Sequence, residues 1–459
     1  MPLPLLIGAL ALSLPAAAAI DWDAVTAETS DLLSGYLRVD TINPPGNEEA
    51  GARYLQGWLD AAGIPSETHE IATGRVNLVA RLKGSGLEPP LCLMSHLDVA
   101  SAEAARWDPD RGPLSGAVAD GAIWGRGALD MKGMGAIETM VMLLLAREGV
   151  ALRRDVILLA VADEEVHNSG ARALADRWSE IGCSHLINEG GVGIDDLFFP
   201  GQTVFPISVG EKGVLWTRVV ATGEPGHGST PLPDRSPERL VEAADRLLEW
   251  DPGPTWDPAL MQLLANVGAH KGGLAGAILR RPLLVRSLLR RRLMGNPLTR
   301  AALTDTVNVT GFGGALEPNV VPAESWLQVD SRLLPGTSPE AMLGQLGDWL
   351  DDPTLRLEPI QTIAAQVSPW EDDPVYAALA REVVRDRPDA VAGPVISVGF
   401  TDSIYLRPLG VRAYGFVPFA LSEEELRTMH GDRERVPVEE LRRGVEVLYR
   451  VVLAVAAAP

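Results

Sequence analysis

A chain of 459 residues is longer than one hydrophobic core ordinarily organises, which predicts two domains. With 40 basic against 61 acidic side chains its formal charge is −21, which argues against general affinity of the whole chain for nucleic acid or an anionic membrane, and no segment is long enough to span a bilayer. Two cysteines, Cys92 and Cys183, exclude a disulfide framework; one bridge can form, but two buried thiols are the expectation.

Pro2 to Ala19 is an apolar run ending in Ala17-Ala18-Ala19, a small-residue cleavage pattern, although no Lys or Arg precedes it. Residues 1–19 are therefore expected to be a signal peptide and the mature protein periplasmic or secreted. Ile20 to Gly63 carries Tyr36, Leu37, Val39, Tyr54, Leu55, Trp58 and Leu59 at helical spacings around a Pro44-Pro45-Gly46 loop. Val76 to Leu82 and Leu91 to Leu97 predict strands, with Gly84 to Pro90 as the turn between them. A Gly-rich loop follows at Trp124 to Asp130, then an apolar helix at Met134 to Arg147 and a buried strand at Val156 to Val161. This alternation implies an α/β sheet whose ligand site lies at the strand ends.

Near Pro206 the rhythm changes. Ile207 to Thr222 is strand-like, Ser236 to Trp250 helical, Val307 to Gly311 and Ser325 to Leu333 strands, Pro339 to Leu350 a helix and Leu355 to Ala365 a strand. The β-α-β-β-α-β order predicts a ferredoxin-like α+β domain over 207–366, inserted into the first domain and itself interrupted by a helical segment at about 251–304. From Pro369 the chain returns to the first domain, with strands near Val395 and at Val411 to Val417 and a closing helix at Val438 to Ala454.

His96 and Asp98 close the run from Leu91, and residues two apart on a strand share a face. A buried strand with a polar end and a metal-binding imidazole with its orienting carboxylate both fit that pair. Asp130, Glu164, Glu165, Glu189 and His430 also fall at strand ends or in loops. Adjacent glutamates point to different sides, so of Glu164 and Glu165 one can hold a cation while the other handles protons. Two imidazoles with three carboxylates, one of them bridging, suit a pair of zinc ions.

His96-Leu97-Asp98, the stretch Gly125 to Gly133, Asp163-Glu164-Glu165, Glu189-Gly190-Gly191, Gly226-His227-Gly228-Ser229 and Met429-His430-Gly431 follow one another in an order that resembles the co-catalytic zinc metallopeptidase family. Carboxypeptidase S, aminoacylase and acetylornithine deacetylase belong to it. The resemblance implies a zinc-exopeptidase-like α/β catalytic domain over 20–206 and 367–459, with a central mixed sheet flanked by helices. The inserted domain would then serve as lid and dimerisation domain. It further implies two Zn ions per chain, with Co or Mn as substitutes: His96, Asp130 and Glu189 on one, Asp130, Glu165 and His430 on the other. Asp98 would hydrogen-bond the far nitrogen of His96, and Glu164 would be the general base that deprotonates water held between the zincs. His227 would stabilise the oxyanion in the partner's site of a homodimer. Asn319 and Arg332 would clamp a substrate carboxylate, Arg offering a planar fork for it; alternatively Arg332 simply pairs with Asp330.

The expected reaction is cleavage of an amide bond next to a free α-carboxylate, in N-acyl amino acids or at the C-terminus of small peptides. A dipeptidase, a short-acyl deacetylase and a non-catalytic binding protein on the same fold are the alternatives. Gly268 to Arg300 is the one strongly basic stretch, with Lys271, Arg280, Arg281, Arg286, Arg290, Arg291, Arg292 and Arg300 among leucines. A helical hairpin packed on the lid with its arginines in water is the simpler reading; a surface for acyl chains or lipid is the sharper one.

Overall fold

The computed structural model describes residues 20–230 and 233–459, so the expected signal peptide lies outside the described residues. The chain opens with helices α1 (Trp22–Arg38) and α2 (Glu48–Ala61) and strands β1 (Ser66–Ala72), β2 (Arg75–Leu82) and β3 (Leu91–His96). Helix α3 (Lys132–Arg147) leads to β4 (Val156–Val161), β5 (His185–Asp195) and β6 (Thr203–Glu211). Strand β7 (Gly213–Thr222), helix α4 (Ser236–Leu248), β8 (Thr306–Gly313), β9 (Glu324–Leu333), α5 (Pro339–Leu350) and β10 (Arg356–Ile363) come next. Helix α6 (Pro374–Val384), β11 (Ala390–Ser397), β12 (Arg412–Leu421) and α7 (Val438–Ala456) complete the chain.

Eight strands form one mixed sheet in the order β1-β2-β4-β3-β5-β12-β6-β11. Strands β3, β4, β5 and β12 run parallel, whereas β1 and β2 are antiparallel additions. The residues of β3 show why it sits centrally. Leu91 and Leu93 enter the core shared with α1, α2, α3 and α7, while Cys92 and Met94 enter a second core beneath the short helices Ser169–Asp176 and Trp178–Ile181. A strand buried on both faces reads as a continuous apolar run, and Leu91 to Met94 does. Strand β4 inserts between β2 and β3, so 84–90 is a connection passing over the end of β4 and not the hairpin turn expected.

Both cysteines lie on the second face, and they form a disulfide with Cα atoms 5.9 Å apart. The expectation of two free thiols is thus corrected. Cys183 precedes β5, whose His185 pairs with Leu91, and that register brings it beside Cys92.

The run 207–222, expected as one strand, is two strands in two sheets. Strand β6 belongs to the large sheet and β7 to a four-stranded antiparallel sheet ordered β8-β9-β7-β10. Lys212 marks the crossing and is buried, its ammonium donating to the Ala301 carbonyl (2.9 Å) and Thr306 Oγ1 (3.3 Å). The β-α-β-β-α-β connectivity and strand order of the smaller sheet are the ferredoxin-like arrangement. Helices α4 and α5 cover one face through Leu240, Leu247, Met342 and Leu346.

Residues 251–304 are helical from Pro258 onward, but they do not pack on the smaller sheet as expected. Leu263, Leu264 and Val267 of the helix Pro258–Lys271 meet Val204 and Val391 of β6 and β11, and Asn266 Nδ2 donates to the Ala392 carbonyl (3.0 Å). The segment covers the edge of the large sheet, where an exposed row of backbone groups would otherwise invite pairing.

Candidate active site

Strands β3, β4 and β5 end side by side, and the expected residues gather at or just beyond their C-terminal ends, where open α/β sheets bind ligands. His96 is the last residue of β3, and Glu189 lies within β5. Glu164 and Glu165 follow β4 after a turn in which Asp163 takes φ +65°. Asp130 comes from the loop before α3, and its peptide bond to Met131 is cis. His430, at φ +56°, comes from the loop before α7.

His96 Nε2 lies 3.0 Å from Asp130 Oδ1 and 4.0 Å from Glu189 Oε1. His430 Nε2 lies 3.2 Å from Asp130 Oδ2 and 3.3 Å from Glu165 Oε1. Ligand atoms of His96, Asp130 and Glu165, and of His96, Glu164 and Glu189, fall within 4.8 Å of one another. Burial opposes ionisation of Asp130, yet the His430 and His96 imidazoles outweigh it and hold the carboxyl far below its usual range. Hydrogen bonds to Asp130 and Glu165 push His430 up to about 10. Glu164 and Glu189 go the other way: burial raises both, and each has a carboxylate neighbour that raises it further. So much negative charge in one place requires compensation, and imidazoles clustered with carboxylates are donors that can hold a divalent metal ion.

Asp98 departs from its expected contact. Strand β3 ends at His96, and His96 Nδ1 lies 2.8 Å from the Asp98 backbone carbonyl and 3.6 Å from its carboxylate. The carboxylate instead accepts the backbone N–H groups of Glu164 (3.0 Å) and Glu165 (3.1 Å) and the Asn43 amide (2.8 Å). Asp98 thus fixes both glutamates through their backbone, while its carbonyl leaves His96 Nε2 facing the cluster.

Two buried networks escaped sequence reasoning. Arg75 Nη1 pairs with Glu48 (2.8 Å) and Asp163 (2.7 Å), while Arg75 Nη2 donates to Asn43 Oδ1 (2.9 Å). Asn43 then donates to both Asp98 and Asp163. The second centres on Glu434, fully buried. Its Oε1 accepts the N–H groups of Gly127 (3.1 Å), Leu129 (2.8 Å) and Asp130 (3.2 Å), and Oε2 pairs with Arg126 Nη1 (2.5 Å). Arg126 Nη2 reaches the His430 carbonyl (3.0 Å), so one ion pair ties the Asp130 loop to the His430 loop. Glu434 stands four residues after His430, the one signal that could have marked it.

The remaining expected residues make their contacts elsewhere. His227 pairs with Val320 in a two-residue ribbon, Asn319 accepts the Gly228 N–H (2.7 Å) through its carbonyl, and both are exposed. Among the described residues no hydrogen bond or ion pair joins either to the cluster. Arg332 on β9 forms a two-bond pair with Asp330 (2.8 and 3.0 Å). Its guanidinium also stands 5.1 Å from the Phe400 ring. Beside Phe400, the Asp402 carboxyl is pushed up to about 7 by burial and accepts the Asn168 amide (3.0 Å).

A family model described as peptidase family M20/M25/M40 matches residues 92–454. The chain is 29% identical over 376 residues to the human N-fatty-acyl-amino acid synthase/hydrolase PM20D1, covering 79% of this chain and 73% of that protein. It is 28% identical over 436 residues to Aminoacylase-1 of Sus scrofa, covering 93% and 95%. Its fold matches the M20 family metallo-carboxypeptidase Sso-CP2 from Sulfolobus solfataricus with a TM-score of 0.68 at 18% identity, over 93% of this chain and 98% of that one. The family match runs from β3 through α7 and takes in every strand end that supplies the cluster, and on that ground the chain belongs to peptidase family M20/M25/M40 as a metal-dependent hydrolase.

Proposed function

We propose that this hydrolase is a di-zinc amidohydrolase that cleaves the amide bond next to a free α-carboxylate, with N-acyl amino acids as substrates ahead of C-terminal peptide bonds. One observation carries the reading: the two oxygens of Asp130 face two different imidazoles, at 3.0 and 3.2 Å. A carboxylate presented in that way suits a bridge between two cations. His96, Asp130 and Glu189 would hold one zinc, and Asp130, Glu165 and His430 the other. When bound, the zinc pair supplies Lewis acidity and lowers the pKa of water.

Glu164 takes the proton of the attacking water on its carboxylate and delivers it to the departing amine nitrogen, as a general base and then a general acid. Asp98 and Asn43 keep that carboxylate at the strand end. Arg332 and Asn319 are assigned to the substrate carboxylate, and the pairing of Arg332 with Asp330 holds the guanidinium fork beside Phe400. His227 Nδ1 lies 2.8 Å from Ser229 Oγ and 3.2 Å from the Ser229 backbone nitrogen, so Nε2 is the ring nitrogen turned away from these contacts. Being exposed, His227 suits an oxyanion contact in the partner's site of a homodimer. The disulfide supports a periplasmic or secreted location, since such bonds persist in oxidising compartments.

Metal analysis together with release of amine from N-acyl amino acids and dipeptides tests the reading. Expected are about two zincs per chain and chelator-sensitive amidase activity. Less than about one zinc with no such activity sinks it. Glu164→Ala should keep its metal and lose at least about 100-fold in kcat; an active variant refutes the base assignment.

A further inference from the structure

The segment that covers the sheet edge has a composition unlike the rest of the chain. Residues 258–304 contain eight Lys and Arg and no Asp or Glu, so they carry +8 while the remainder carries −29. All eight cations are exposed. Among the described residues only Arg300 has an acidic partner, Asp251 at 3.7 Å. Uncompensated like charge is ordinarily dispersed over a surface, so its concentration on one element calls for an anionic counterpart.

Leucines stand out of the same surface. Leu274 is 80% exposed, Leu283 78%, Leu288 61% and Leu298 50%. Beside Leu298 opens an apolar cavity of about 270 Å³ walled by Phe198, Phe199, Ile278, Leu289 and Leu293, with Arg292 among its lining residues. Lys271 places its ammonium 4.9 Å from the Phe199 ring. Exposed leucines and an apolar cavity are of no use to a polyanion such as nucleic acid, whereas a lipid surface offers headgroup charge and hydrocarbon together.

We propose that the helical segment 258–304 docks the enzyme on an anionic phospholipid surface, its arginines against headgroup phosphates, its leucines at the acyl boundary and the cavity receiving the end of one chain. The anchorage to β6 and β11 makes the segment a fixed platform. The acidic remainder of the molecule is repelled by the same surface, which leaves one orientation of approach. The proposal does not depend on the zinc assignment, and its test does not read catalysis.

The mature, metal-loaded enzyme is sedimented with vesicles of phosphatidylcholine alone and with vesicles containing about one-third phosphatidylglycerol. Partition onto the anionic vesicles at least about tenfold above the neutral ones is expected, falling away in about 0.5 M salt as charges are screened. Arg286→Glu/Arg290→Glu/Arg291→Glu should weaken that partition at least about tenfold. Leu283→Ser/Leu288→Ser should weaken it while keeping the preference for anionic vesicles. Both variants should melt with the parent, which separates lost docking from lost folding. Equal partition onto both vesicle types, a folded charge-reversal variant that binds like the parent, or preference for duplex DNA over anionic vesicles at equal salt overturns the proposal.

Discussion

Replacing Glu434 by Gln tests whether a buried ion pair holds the site together. Glu434 is 0% and Arg126 1% exposed, so neither charge has water to fall back on. In Glu434→Gln the amide oxygen can still meet the N–H groups of Gly127, Leu129 and Asp130, but the guanidinium loses its counter-charge. Breaking a buried pair from one side costs about 3–5 kcal/mol, because the charge left behind is uncompensated. Charge-assisted bonds to the Asp130 loop weaken as well, and loss of such outer contacts lowers metal affinity about 10–100-fold. Urea unfolding gives the first quantity and chelator competition the second. Arg126→Met/Glu434→Gln should be more stable than Glu434→Gln alone, with a coupling of at least about 2 kcal/mol in the double-mutant cycle. Additive effects, or a Glu434→Gln protein with parental stability and metal affinity, would refute the reasoning.

Three further outcomes follow from the geometry. The disulfide closes a separation of 91 residues, so Cys92→Ala/Cys183→Ala should lose about 4 kcal/mol in denaturant unfolding, and reductant should abolish the difference from the parent. Asp373 is buried; burial raises its carboxyl, but bonds from His185 (3.0 Å) and Arg412 (2.7 Å) outweigh this and hold it well below its usual range. A depressed carboxyl contributes stability that is present above its unfolded value near 4 and is lost as pH falls below it, so Asp373→Asn should flatten the acid limb of the stability profile; an unchanged limb in urea melts between about pH 5 and 3 contradicts this. If His227 serves the partner's site, an equal mixture of refolded His227→Ala and Glu164→Ala chains should recover about one quarter of parental activity, because half the dimers are mixed and each holds one complete site. Recovery of none, with mixed dimers demonstrated, removes the trans assignment.

What could be read from the sequence follows burial. Strands β3 and β4 are apolar on both faces and announce themselves, as do α3 and α7. Strand β1, Ser-Glu-Thr-His-Glu-Ile-Ala, lies at the sheet edge and buries none of its residues completely, so nothing in its composition marks it. The passage from β6 to β7 hides for the opposite reason: both strands are apolar, and only Lys212 separates them. Spatial order is a further loss, since the insertion of β4 between β2 and β3 leaves no local trace.

The same division runs through the site. His96, Asp130, Glu164, Glu165, Glu189 and His430 lie in short motifs whose residue types state their chemistry. Arg75, Asn43 and Glu48 lie in no such motif, yet they set the position of Asp98 and Asp163 from two separate segments. Asp98 joins the two kinds of residue. Its place in His96-Leu97-Asp98 predicts a carboxylate for the imidazole, but the end of β3 turns the backbone so that the carbonyl takes that contact and the carboxylate fixes the next strand's glutamates. A two-residue spacing specifies a shared face only while the strand continues. Asp98→Asn should therefore disturb Glu164 and Glu165 more than His96, lowering turnover and metal affinity together. A variant that loses affinity with unchanged turnover at saturating metal would return Asp98 to the simpler role of an imidazole partner.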